Sequence, residues 1–185
     1  MEPRQDFSLR PAEARDADLV LRWRNLESVR SMMFTSDPIA PEDHAKWFKS
    51  LEGNTARKCL IFERRGEAYG VVVTQLYRPE QSQWIWSCYL GRPGEIVGGG
   101  TIMGYLAMEY FFEKLGIENL IGEAVETNEH SIKFNVRLGF ERREKFLKRV
   151  PTGKDLEARL LVYPRADWPR HKARLLAELF APASE

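Results

Sequence analysis

The chain has 185 residues, with 28 Lys plus Arg against 27 Asp plus Glu and a formal net charge of +1. That balance provides no global field to draw the chain onto nucleic acid or an acidic membrane, and 43% hydrophobic residues with five Trp and ten Phe exclude a disordered or low-complexity chain. The length suits one domain over residues 1–185, with no repeat or Gly/Ser linker to divide it.

Phe7 to Arg10 reads as a short strand. Ala14-Arg15-Asp16 to Arg30 reads as one helix with Leu19, Leu21, Trp23 and Leu26 on its apolar side. Pro38 and Pro41 punctuate the next connection. Pro41-Glu42-Asp43 opens a second helix through Leu51, with proline and acids in its first turn and Trp47, Phe48 and Leu51 turned inward, ending near Gly53. Lys58 to Glu63 and Ala68 to Tyr77 flank the turn Arg65-Gly66-Glu67 as a hairpin, and Trp84 to Leu90 follows as a third long strand.

After Gly98-Gly99-Gly100, Thr101 is positioned to cap a helix running to Leu115, with Ile102, Tyr105, Leu106, Met108, Phe111 and Phe112 as its apolar surface and Gly116 closing it. Leu120 to Glu126 reads as a strand, Glu129 to Leu138 as a helix stopped by Gly139, and Glu157 to Tyr163 as the last strand. The basic run Arg142-Arg143, Lys145, Lys148-Arg149 alternates with Glu141 and Glu144 and reads as a solvated segment. A C-terminal helix covers 170–180; its Leu175, Leu176, Leu179 and Phe180 serve either its own domain or a second copy, which leaves a homodimer open. Helices alternating with strands and hairpins imply an α/β (α+β) fold, a mixed sheet of six to seven strands with helices on both faces.

Cys59 and Cys88 are too few for a disulfide framework, and no apolar run approaches the roughly 20 residues that span a bilayer, so the reading is cytoplasmic, with no membrane partner. His44, His130 and His171 lie far apart and join no ligand pair, so no metal is expected. Cys88 has no neighbouring His or cation in sequence to activate it, which argues against a covalent acyl-enzyme.

Two segments carry the chemistry. In Glu95-Ile96-Val97-Gly98-Gly99-Gly100-Thr101, glycine amides and a helix amino end can cradle a pyrophosphate, or else make only a tight strand-to-helix turn. Glu123-Ala124-Val125-Glu126-Thr127-Asn128 ends a strand and leads into Ser131, Phe134, Asn135 and Leu138-Gly139-Phe140. Odd spacing places Glu123 and Glu126 on opposite faces, so one of them can face a site. Asn128 reads either as a cap or as a ligand amide.

Taken in order, Gly98 to Thr101 with its helix, Asn128-x-x-Ser131-x-x-Phe134 and Leu138-Gly139-Phe140 resemble the GNAT superfamily of acetyl-CoA-dependent N-acetyltransferases over nearly the whole chain. Leu21-Arg22-Trp23-Arg24-Asn25, Met33-Phe34-Thr35 and His44-x-x-Trp47-Phe48 resemble acceptor segments of pseudaminic-acid biosynthesis N-acetyltransferases, which acetylate the 4-amino group of a UDP-linked dideoxy amino sugar. Ribosomal-protein amino-terminal acetyltransferases share a looser version, and an acyl-CoA-binding module without turnover is the third alternative.

The resemblance implies that the strands of Trp84 to Leu90 and Leu120 to Glu126 splay to admit the coenzyme. Pantetheine then pairs with the backbone of Cys88, Tyr89 and Leu90. The diphosphate meets Val97, Gly98, Gly99, Gly100 and Thr101, with Asn128, Ser131 and Phe134 alongside. It implies a carboxylate base, Glu126 before Glu123, and substrate contacts from Arg24, Asn25, Met33, Phe34, His44, Trp47 and Phe48. Two departures stand out: Glu95 occupies the first loop position, where Gln or Arg is common, and Asn135 stands where a Tyr commonly protonates the thiolate, leaving Tyr89 or Tyr105 as substitutes.

Overall fold

Cys59 to Phe62 and Tyr69 to Val72 are buried without alternation, a pattern that demands cover on both faces of a sheet. The computed structural model describes residues 3–180 and provides that cover. Seven strands lie in the order β1-β2-β3-β4-β5-β7-β6: β1 (Phe7–Pro11), β2 (Arg57–Arg64), β3 (Glu67–Arg78), β4 (Gln83–Leu90), β5 (Asn119–Val125), β6 (Glu141–Arg149) and β7 (Asp155–Pro164). Every neighbouring pair is antiparallel except β4 and β5, which run parallel. The helices are α1 (Ala17–Arg24), α2 (Glu27–Arg30), α3 (Pro41–Lys49), α4 (Gly99–Glu109), α5 (Glu129–Leu138) and α6 (Trp168–Phe180).

The larger core joins α4, α5 and α6 to one face through Trp86, Phe111, Phe112, Leu138, Phe140 and Tyr163. The smaller core gathers Val20, Trp23, Cys59, Ile61 and Val71 on the other face, with Trp47, Phe48 and Tyr89 packed against it. Leu175 and Leu179 of α6 are buried in their own domain and Phe180 packs on Phe7 and Tyr105, while Leu176 is exposed.

Four local readings need correction. The single helix over Ala14 to Arg30 is a 3₁₀ turn, α1 and the one-turn α2. The chain breaks at Asn25 because its amide both donates to the Ile39 carbonyl (2.9 Å) and accepts from the Ile39 NH (2.8 Å). Val20, Trp23 and Val29 are the buried positions, while Leu26 is exposed. Thr101 does not cap α4; Gly98 does, at φ 71°, a left-handed conformation open to glycine. Beyond Glu109 the helix widens into a π turn at Tyr110–Lys114.

The fourth carries the most weight: the run read as a solvated segment is solvated, but it is also a strand, β6. Its residues are mostly exposed, as befits a charged edge strand, yet it pairs with β7 from Glu141↔Val162 to Arg149↔Asp155, with an irregularity between Arg142 and Lys145.

Candidate active site

β4 and β5 pair at three positions, Gln83↔Asn119, Trp84↔Leu120 and Ile85↔Ile121, and then diverge. Each continues against its outer neighbour, β4 with β3 up to Gly70↔Leu90 and β5 with β7 up to Val125↔Ala158. The edge of β4 from Trp86 to Leu90 that faces β5 therefore has no strand partner.

Side chains hold this V open from the α4 and α5 side. Trp86 stacks on Phe140 (5.7 Å) and meets Phe134 (6.1 Å), and its indole NH donates to Asn135 Oδ1 (3.2 Å). Asn135, buried, donates in turn to the Ser131 carbonyl (2.8 Å). Both ends of its amide are thus engaged, so Asn135 is a strut between β4 and α5. Gly122 allows the close approach, since a Cβ there would lie 3.1 Å from Asn135 Oδ1.

The V opens into a cavity of about 650 Å³. Of the residues selected from sequence, Cys88, Tyr89, Leu90, Gly100, Glu123, Asn128, Ser131, Phe134, Asn135, Met33 and Phe34 line it. Val97, Gly98, Gly99, Thr101, Glu126, Arg24, Asn25, His44, Trp47 and Phe48 do not. Val97 projects into solvent. Gly98 and Gly99 shape the turn: Gly99 donates to the Ile96 carbonyl (3.0 Å), and Ile102 makes the first helical bond, to Gly98 (3.0 Å). Gly100 and Thr101 make no such backbone bond to the preceding loop, and their NH groups open α4 as donors. A Cβ at Gly100 would come into ordinary van der Waals contact, 4.0 Å, with the Leu90 and Phe134 side chains that line the cavity beside it.

Glu95, the departure noted above, is paired by Arg92 (2.6 Å), which also bonds Glu67 (3.2 Å) and lies 4.3 Å over the Tyr69 ring. Its charge is thereby opposed by a cation. Asn128 takes the cap alternative: its Oδ1 accepts from the Ser131 NH (3.0 Å), and its amide donates to the Met32 carbonyl (3.3 Å), tying the loop after α2 to the start of α5.

The two carboxylates stand in reverse of the order expected. Glu126 lies outside the cavity, bonded twice by Arg159 (2.9 and 2.8 Å) and paired by Lys145 (3.0 Å). Hydrogen bonds from Arg159 and then Lys145 hold its carboxyl down at about 2, which leaves it a poor proton acceptor near neutral pH. Glu123 lines the cavity with its side chain 3% exposed, ion-paired with Lys148 of β6. Lys148 itself lies 4.5 Å from the Phe34 ring centre. Sequence reasoning missed Lys148 because an alternating charged run is also what an edge strand looks like.

The substitute hydroxyls separate cleanly. Tyr105 of α4 is fully buried against Trp168 and Phe180, donates to Glu109 (3.0 Å), and its phenol is pushed up to about 12, chiefly by burial. Tyr89 lines the cavity, and burial raises its phenol further. Burial also pushes the Cys88 thiol up to about 12, which leaves it no useful thiolate.

Arg24 and His44 are not among the cavity-lining residues; His44 lies against Trp47 and Phe48, which pack on the smaller core. Arg24 donates to the Thr35 carbonyl (3.1 Å), but its Nη1 is buried without a partner, and burial lowers its pKa. His44 meets the rings of Trp47 (5.4 Å) and Phe48 (5.7 Å) at a tilt, with Nε2 likewise unpartnered, and burial lowers its pKa too. A second pocket of about 550 Å³ shares Met32, Met33, Phe34, Val125 and Asn128 with the first and adds Ser31, Ser36, Asp37, Thr127, Thr152 and Lys154. Among the described residues, no group of three or more His, Cys, Asp or Glu is placed to hold a metal, and no helix is long and apolar enough to cross a membrane.

A family profile for the acetyltransferase (GNAT) domain matches residues 6–141. No curated protein sequence matches the chain. Among solved structures, the spermidine N-acetyltransferase from Vibrio cholerae in complex with CoA and spermine superposes with a TM-score of 0.78 at 12% identity, over 89% of this chain and 99% of that one. AAC(6')-Ib in complex with Parmomycin and AcetylCoA gives 0.76 at 16%, over 89% and 97%. The aminoglycoside acetyltransferase AAC(6')-Ib in complex with coenzyme A gives 0.74 at 16%, over 89% and 98%. At these identities the likeness shows the fold.

Proposed function

The chain belongs to the acetyltransferase (GNAT) domain family, and on that premise we propose that it acetylates the 4-amino group of a UDP-linked dideoxy amino sugar, with Glu123 as the base. It is an acetyl-CoA-dependent N-acetyltransferase. The observation that carries the reading of the site is the single acid lining the V: Glu123 lines the cavity while Glu126 is bound outside it.

Acetyl-CoA supplies a thioester carbonyl open to attack by a neutral amine. The free edge of β4 at Cys88, Tyr89 and Leu90 can pair with pantetheine as a strand would, which orients it. An NH of the same edge can stabilise an oxyanion, and the amides of Gly100 and Thr101 receive the diphosphate. Glu123 takes the proton that frees the amine. Of Tyr89 and Tyr105, Tyr89 is the one lining the cavity, and its phenol can return a proton to the thiolate. A thiol pKa of ~8.5 also makes that group a tolerable leaving group unaided, so Asn135 is needed as a strut and not as an acid.

Charge supports the acceptor class. Lys148 already pairs Glu123, and among the cavity-lining residues the remaining ionisable nitrogen is His130. A polycationic acceptor therefore meets no unpaired carboxylate in the cavity, whereas an acceptor bearing a diphosphate is tolerated. Met33 and Phe34 form an apolar wall for the sugar, and the second pocket presents hydroxyls, Lys154 and one acid, Asp37, to the nucleotide part.

Thiol release tests this with a UDP-4-amino-sugar, the same sugar without UDP, spermidine, an aminoglycoside and amino-terminal peptides. The reading expects kcat/KM for the nucleotide sugar to exceed the others by about tenfold or more, some 1.4 kcal/mol in the transition state. Preference for a peptide or a polyamine would overturn it.

A further inference from the structure

The amine closest to the candidate base belongs to the protein itself. Lys148 lines the main cavity, its ammonium is paired with the nearly buried Glu123 carboxylate, and its Nζ lies 4.5 Å from the centre of the Phe34 ring. A carboxylate on one side and an aromatic face on the other make a seat for an ammonium ion. Glu123 stands two residues beyond the last β4–β5 pair, Ile85↔Ile121, so in continued register it would face Ser87 across the open V, beside the β4 edge assigned to pantetheine.

The other lysines nearby are placed differently. Lys145 is paired with Glu126 outside the cavity (3.0 Å), and Lys154 lines the second pocket. Among the residues lining the main cavity Lys148 is the one amine.

We infer that Lys148 is an internal acceptor: in the absence of an external amine, its Nζ is acetylated by acetyl-CoA bound in the same cavity. Glu123 takes one proton from the ammonium. The freed nitrogen forms an amide bond to the acetyl carbonyl carbon as the carbon–sulfur bond breaks, and the second nitrogen proton passes to the departing thiolate. The products are Nε-acetyl-Lys148 and CoA thiol, with no oxidant or further reactant needed. The modification removes the cation beside Glu123 and leaves the cavity with an unpaired acid.

The inference rests on the proposal that the chain acetylates amines with Glu123 as base, and its test separates the two. The full chain is incubated with acetyl-CoA and no acceptor, then mapped by mass spectrometry after cleavage at acidic residues. The result expected is one acetyl group on Lys148, none on Lys145 or Lys154, one thiol released per chain, and loss of one positive charge on isoelectric focusing. CoA in place of acetyl-CoA gives none of these. Lys148→Arg abolishes incorporation, and Glu123→Gln slows it about a hundredfold or more; melting curves confirm that both fold, and if Glu123→Gln does not, the wild-type map and Lys148→Arg decide. Acetyl spread over surface lysines, or an unmodified Lys148 in a chain that turns over an external amine, overturns the inference alone. No incorporation together with no thiol release for any amine overturns the underlying proposal as well.

Discussion

Replacing Glu123 by Gln keeps the shape of the side chain and an acceptor for Lys148 but removes the capacity to take a proton. Lys148 and the near-complete burial of Glu123 hold the group in place at the cavity wall, so the variant should fold and should bind acetyl-CoA through the untouched β4 edge and α4 amino end. A general base is worth about 10² to 10⁴ in rate, or about 2.7 to 5.4 kcal/mol in the barrier. Steady-state thiol release should therefore show kcat falling by that factor, with the KM for acetyl-CoA little changed. Glu126→Gln, made in parallel, alters a network outside the cavity and should leave kcat within about threefold. If Glu123→Gln keeps turnover within about threefold while Glu126→Gln loses a hundredfold, the assignment of the base is wrong.

Four further outcomes follow from the same geometry. Gly91→Ala would place a Cβ 1.8 to 2.3 Å from Trp23 ring atoms; overpacking of this kind costs about 1 to 3 kcal/mol, which at this size lowers the melting temperature by about 2 to 4 °C per kcal/mol, and an unchanged melt would contradict the packing. Trp86→Phe removes the donor to buried Asn135 Oδ1 and should cost about 1 to 3 kcal/mol in denaturant unfolding. Because Arg159 and Lys145 lower the folded Glu126 carboxyl from 4.5 to about 2, the stabilisation they contribute is complete above about pH 4.5 and lost as pH falls toward 2; acid melts of the native chain should decline more steeply in that window than those of Glu126→Gln. Burial holds the Cys59 and Cys88 thiols at about 12, so iodoacetamide at neutral pH should label neither in the folded chain and both after unfolding.

Much of this architecture can be deduced from local pattern. The uninterrupted apolar strands imply a doubly covered sheet, the glycine turn before the long apolar helix marks an amino end built for an anion, and the parity of Glu123 and Glu126 states that only one can face a site. These are properties of neighbours in sequence, where backbone periodicity and glycine stereochemistry act directly. Parity cannot say which face holds the cavity. That was decided by β6, whose charged residues resemble a solvated loop until β7 pairs with them and carries Lys145 to Glu126 and Lys148 to Glu123. The same holds for Asn135, whose amide is consumed by Trp86, 49 positions away in sequence, and by Ser131, and for Tyr105, which helix periodicity places on an apolar side but only packing against Trp168 and Phe180 removes from the site. Burial, ion pairing and the choice between two equivalent acids depend on which distant segments meet, and that information resides in the tertiary contacts.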